Sequence, residues 1–202
     1  MNRVTHKAAL GFRAHSGWAA VVALGGLVAA PIVLRRRRVE LADRAISGST
    51  QLYHTAEQMP FASAAEFVQQ CSDASKALAD LALKETIAEL SAKGYTVGAA
   101  CVLLSSARPL PGLKAILASH ALIHTAEGEF YRGALSVACV ESGLKTSGVK
   151  EKELWDAAAM LKLSRSEMEA RIAELGKSVG PPWRQDEKLC ALASWIALST
   201  SA

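Results

Sequence analysis

The chain has 202 residues, half of them hydrophobic, with a formal net charge of +4 and four cysteines. That length suits one domain with a sizeable core, and the charge is too small by itself to argue for nucleic acid. Cys71, Cys101, Cys139 and Cys190 lack the CxxC spacing of a zinc ribbon, so buried free thiols in a reducing, cytoplasmic setting are expected.

Residues 1–7 are expected as a frayed start, and 8–13, 17–24 and 31–41 as three consecutive strands. Gly25-Gly26 is placed as the turn between the second and third, and Pro31 is tolerated at a strand's first position. Three strands in a row ask for an antiparallel meander. The same stretch carries a rival reading. Residues 18–34 are apolar and uncharged and run into Arg35-Arg36-Arg37-Arg38, the pattern of a short membrane anchor with a basic stop. The run sits at the lower edge of the roughly 17–25 residues needed to span, with Gly25-Gly26 and Pro31 inside it. Strands are therefore favoured and membrane contact is not expected.

Residues 47–60 read as a polar, irregular link containing Tyr53-His54. Ser63, with Glu66 three residues later, is expected to open a long helix through a capping box, and Gly94 to stop it. Residues 96–104 form a continuous apolar run, the pattern of a buried strand, and 105–112 a rigid Pro-containing loop. A helix over 113–143, a short strand over 145–149, amphipathic helices over 151–161 and 166–175 with Ser164 capping the second, and a last apolar helix over 186–197 complete the chain.

The helix over 113–143 breaks its own pattern. Wound at 3.6 residues per turn, its apolar stripe holds Leu113, Ile116, Leu117, Ile123, Ala134, Leu135 and Ala138. His120, His124, Glu127 and Tyr131 fall within that stripe, while Thr125, Glu129, Arg132 and Ser136 take the opposite face. Polar groups in a core stripe need partners, from the chain, a metal or a ligand. At i, i+4 and i+7, His120, His124 and Glu127 have the spacing for a divalent transition metal on one helix face. The plainer reading, and the one favoured, is a core network in which the imidazoles bond backbone carbonyls and Glu127 pairs with a cation such as Arg13.

Leu10-Gly11-Phe12-Arg13 with Ser16-Gly17-Trp18, Arg132-Gly133 with Gly143-Leu144, and Ala191-Leu192-Ala193 resemble the first strand, central helix and closing helix of the bacterial Holliday-junction resolvases. The resemblance implies an α/β, ribonuclease H-like fold: one domain, a mixed five-stranded sheet in the order β-β-β-α-β-α-β-α, flanked by helices. It also implies nucleic acid as a partner and a cluster of carboxylates holding two metal ions for phosphodiester hydrolysis. The departures bear on that last point. The first-strand Asp of the family aligns with Arg13, nothing from Tyr95 to Lys114 is acidic, and Cys190 and Glu187 fall at the closing helix's acid positions, with Asp186 one residue off register.

The expectation is thus a resolvase-related protein that binds nucleic acid and lacks standard two-metal cleavage. Its candidate nucleic-acid or anion-binding residues are Arg13, His15, Arg35 and Arg37, and Arg35–Arg38 should alternate faces along their strand. The first rival is a hydrolase on the same scaffold with His120, His124, Glu127 and Asp186 as catalytic residues; the second is a membrane-anchored interaction module. The residues do not decide whether the chain is an enzyme. A homodimer is compatible with them, and no Gly-rich phosphate loop calls for a nucleotide cofactor. One pocket is expected to gather Arg13, His15, His120, His124, Glu127 and Asp186.

Overall fold

A computed structural model describes residues 6–105 and 109–200. Strands β1 (His6–His15), β2 (Trp18–Leu27) and β3 (Ala30–Glu40) form the antiparallel meander. Strands β4 (Tyr95–Leu104) and β5 (Lys145–Lys150) add parallel to β1, giving one five-stranded sheet in the order β3-β2-β1-β4-β5. The parallel pair β4 and β5 is joined by a helical crossover, and helices also lead from β3 to β4. Residues 18–34 are therefore strands, and no helix among the described residues is long and apolar enough to cross a membrane. Of the loop expected over 105–112, residues 106–108 lie outside the described residues, as do 1–5 of the expected frayed start.

The turn between β2 and β3 is at Val28-Ala29, not at Gly25-Gly26. Both glycines sit in the ladder, Gly25 opposite Ile32 and Gly26 opposite Pro31. Gly25 is needed for packing: a Cβ there would meet Leu34 Cδ1 at 2.6 Å and Tyr95 Cε1 at 2.9 Å.

The helices are α1 (Leu52–Ala56), α2 (Phe61–Ala92), α3 (Leu113–Leu117), α4 (His120–Glu141), α5 (Leu154–Ala157), α6 (Arg165–Val179) and α7 (Gln185–Thr200). Alternation along the strands divides them between two faces. Leu10, Phe12 and Ala14 of β1, with Ala100 and Val102 of β4, pack under α2 and α4. Ala9 of β1, Val22 and Leu24 of β2, and Cys101 and Leu103 of β4 pack under α6 and α7. All four cysteines are free and buried, and burial pushes the Cys71 thiol to about 11 and the Cys139 thiol to about 12.

Three local expectations change. Residues 47–60 are not irregular throughout: a short 3₁₀ turn at Ser49–Gln51 leads into α1, which holds Tyr53 and His54. The Tyr131 hydroxyl anchors this segment by donating to the Ser49 carbonyl at 2.6 Å. Helix α2 starts at Phe61, directly after Pro60, so Ser63 and Glu66 are inside it and form no cap. The helix over 113–143 is two helices, broken where Ser119 is extended (φ −142°, ψ 111°). The capping expected at Ser164 is formed, as a reciprocal box with Glu167.

Helix α7 lies against β1 and β2 with almost no side chain between. A Cβ on Gly11 would stand 2.0 Å from the Cys190 carbonyl oxygen and 2.6 Å from the Ser194 nitrogen. Ser194 fills the seam: its hydroxyl donates to the Ala9 carbonyl at 2.9 Å and accepts the Leu24 N–H at 3.1 Å. Ala9 and Leu24 face each other across β1 and β2, and each adjoins a register shift in its other ladder. One buried hydroxyl thus satisfies two backbone groups freed by the irregular pairing. Gly11→Ala is expected to destabilise the fold by roughly 3 kcal/mol or more, because backbone must move. Gly133→Ala, in open space within α4, should be neutral or stabilising by up to about 1 kcal/mol. Urea denaturation of the two variants checks the contrast.

Candidate functional site

Arg13 lies near the C-terminal end of β1, between Phe12 and Ala14, whose side chains join the α2/α4 core. Its guanidinium therefore points to the other face, towards α7. There it meets two carboxylates from distant parts of the chain. Glu151, in the turn directly after β5, is held in a fork: Arg13 Nε donates to Oε2 at 2.9 Å and Nη2 to Oε1 at 2.8 Å. Asp186, in the first turn of α7, accepts a hydrogen bond from Arg13 Nη1, and His15 Nε2 lies 2.9 Å from the same oxygen. The His15 ring stacks on Trp18, with centroids 4.2 Å apart and planes within 11°. Arg38 of β3 places its guanidinium 4.1 Å from the Trp18 ring centroid and pairs with Glu40 at 3.0 Å.

The electrostatics are those of a closed cluster. The hydrogen bond to Glu151 raises the Arg13 pKa against the opposing effect of burial, with Asp186 adding to the rise, so Arg13 stays charged. Burial pushes the Asp186 carboxyl up, but hydrogen bonds from Arg13 and His15 outweigh it and hold the group below its ordinary range. The donor set does not fit two divalent ions. Both carboxylates already bind a guanidinium that the chain itself supplies, which leaves one excess negative charge to set against the positive charge of two divalent ions.

Glu127 lies on the opposite side of the sheet, among α1, α2 and α4. It is buried, as its place in the apolar stripe required, but its partner is not Arg13. Its Oε1 accepts the backbone N–H of Tyr53 at 2.7 Å and of His54 at 3.2 Å, and lies 3.3 Å from His54 Nδ1. A carboxylate from α4 thus serves the first-turn N–H groups of α1. Oε2 is buried with no hydrogen-bond partner. Burial pushes the Glu127 carboxyl above its ordinary range, with the bonds from His54 and Tyr53 opposing.

His120 and His124 are exposed, not turned into the core. They share a face of α4 with the buried Glu127 and Tyr131, but they lie in its first two turns, at the end of the helix where the core no longer covers that face. The single expected pocket is therefore two separate groups. One holds Arg13, His15 and Asp186, and the other holds Glu127 with His120 and His124 nearby. Two residues of these groups were not foreseen. Glu151 sits in a Lys-Glu-Lys-Glu run that reads as a solvated face, although its place after a parallel strand was a usable signal. His54 was placed in a loop, and its helix was not recognised.

The four arginines of β3 do alternate faces. Arg35 and Arg37 pair with Glu89 and Glu85 of α2, each at 3.2 Å. On the other face Arg36 donates to the Gly180 and Pro181 carbonyls at 2.9 and 2.7 Å, beside Arg38. Trp183 donates to the Ile172 carbonyl at 3.0 Å, so it packs on α6.

No protein-family model and no curated protein sequence matches this chain. Solved structures do. RuvC of T. thermophilus in complex with a Holliday junction substrate superposes with a TM-score of 0.55 at 11% identity, covering 95% of this chain and 92% of that one. A second Thermus thermophilus RuvC structure gives 0.52 at 10% identity, over 94% and 92%. Together with the strand order, this makes the fold α/β, ribonuclease H-like, of the resolvase arrangement. At this identity the likeness is one of fold.

Asp186→Asn is expected to cost about 1–3 kcal/mol at neutral pH, as a charged hydrogen-bond acceptor is lost. The sign of the pH dependence follows from the depressed carboxyl. Its contribution is fully present above the unfolded value of about 3.9 and is lost as pH falls through the lower folded value. The stability gap between wild type and variant should therefore narrow below about pH 4, as denaturant titrations across that range would show.

Proposed function

We propose that this protein binds nucleic acid on a resolvase-type ribonuclease H-like scaffold and does not carry out two-metal phosphodiester hydrolysis. The observation that carries the reading is the Arg13 cluster. Two-metal cleavage needs carboxylates converging on divalent cations that clamp the attacking and leaving oxygens. Here Glu151 and Asp186 converge on a side-chain guanidinium, at the position where the resemblance placed the family's first acid.

Nucleic acid as the partner is supported by the fold match over nearly the whole of both chains, one of them a protein in complex with a Holliday junction substrate. The surface beside the Arg13 cluster suits a phosphate backbone. A cleft of about 350 Å³ is lined by Trp18, Pro182, the cations Arg37, Arg38 and Arg184 and the acids Asp186 and Glu187, with Arg184 exposed. Arg35 and Arg37 are a poorer choice than at first expected, because both are engaged by glutamates of α2. A cytoplasmic setting is supported by the four free, buried thiols. A hydrolase built from His120, His124, Glu127 and Asp186 together is disfavoured, since Asp186 is bound on the other side of the sheet.

Fluorescence anisotropy with a labelled four-way junction and a duplex of the same sequence tests the reading. Binding should weaken as salt rises, and Arg184→Ala should lower the log–log salt slope by about 1. Neither DNA should be cut in Mg²⁺ or Mn²⁺. Salt-independent or absent binding would remove the nucleic-acid half of the proposal, and metal-dependent cutting abolished by Glu151→Gln would remove the other.

A further inference from the structure

We propose that His54, His120 and His124 form a binding site for one transition-metal ion of the zinc class. The site is independent of the Arg13 cluster and of any nucleic-acid binding. Among the described residues these three offer ligand nitrogens that all lie within 4.8 Å of one another. His120 and His124 stand one helical turn apart on α4, with Nε2 atoms 3.0 Å apart. His54 comes in from α1, its ring centroid 4.8 Å from that of His124 and 5.6 Å from that of His120. Tetrahedral nitrogens at zinc bond lengths near 2.05 Å are separated by about 3.3 Å. The α4 pair is already close to that spacing, and rotation of the side chains closes the remaining gap to His54.

Hydrophobic burial does not explain the cluster. His120 and His124 are exposed and His54 is half-buried, so little apolar area is removed from water by bringing three imidazoles together. The second observation is Glu127. Its Oε1 lies 3.3 Å from His54 Nδ1, a contact that holds the ring and leaves Nε2 as the free ligand atom. A carboxylate behind a ligating imidazole is the usual means of setting its tautomer and raising its basicity. The carboxylate is itself held by the backbone of α1, and its other oxygen is buried without a partner.

Three neutral imidazoles with no thiolate select zinc, copper or nickel over magnesium or calcium, which prefer oxygen ligands. Because His120 and His124 are on the surface, a fourth coordination position faces solvent, as in sites where a metal holds a water. The ion would also tie α1, whose Leu52, Tyr53 and Ala56 are buried and whose first-turn N–H groups bond Glu127, to the start of α4.

The test uses the full chain, purified without an affinity tag or immobilised metal and stripped with EDTA. Calorimetric titration with Zn²⁺ should show one site per chain, and Co²⁺ should give the intense visible bands of a tetrahedral complex. His120→Asn and His124→Asn, both at exposed positions, should each weaken Zn²⁺ binding at least tenfold with the far-ultraviolet circular dichroism unchanged. Glu127→Gln should weaken it tenfold to a hundredfold. His6→Ala, at the start of β1, should leave it unaltered. Absence of stoichiometric Zn²⁺ binding, or full affinity in the His120 and His124 variants, would overturn the site; full affinity in Glu127→Gln would overturn the orienting role. None of these readouts depends on DNA, so the site and the nucleic-acid reading stand or fall separately.

Discussion

Helix α7 touches β1 backbone to backbone at Gly11, and the geometry of the strand ends depends on that contact. A larger residue at Gly11 would lift the helix away. Ser194 would then lose the Ala9 and Leu24 backbone groups, and Asp186 would leave the reach of Arg13 and His15. The close approach puts a carboxylate in the first turn of a helix, where the helix dipole also favours negative charge, beside a cation at the end of a parallel strand. Glu151, delivered by the turn after β5, binds the same guanidinium from the other side of β4.

In a two-metal nuclease the mutual repulsion of converging carboxylates is relieved by the ions they bind. Here a single fixed guanidinium relieves it, with directional hydrogen bonds to both acids. Both acids are hydrogen-bonded by a cation that the chain itself supplies. The His54, His120 and His124 group is on the other side of the sheet and is organised by a different acid, Glu127. The two sites share no residue.

Much of this was legible in the residues. The Val- and Ala-rich runs gave the meander, although Gly25-Gly26, read as its turn, lie in the ladder, and the continuous run ending at Leu104 gave the buried β4. Arg13 on β1 and Asp186 at the head of the last helix were singled out, and the structure brings them together with His15. Partner assignment was harder, because partners are set by distant packing. Glu127 was placed in the core correctly, but the groups that satisfy it are backbone amides of α1, a five-residue helix too short to show periodicity. His120 and His124 share the face of Glu127 and Tyr131 but are exposed, because helical periodicity gives the face of a residue and not how far along the helix the core extends. Glu151 looked like one charge among many until the sheet order put β5 beside β4.

The most direct measurement is a Mg²⁺ titration of thermal stability for the wild type and Arg13→Asp. Magnesium prefers oxygen ligands, so the histidine group does not compete for it. If the guanidinium stands in for metal, the wild type should be unmoved by millimolar Mg²⁺. The variant, with three carboxylates facing one another, should melt lower in metal-free buffer and regain stability as Mg²⁺ is added. A wild type stabilised by Mg²⁺ as strongly as the variant, or a variant as stable as the wild type without it, would contradict the account.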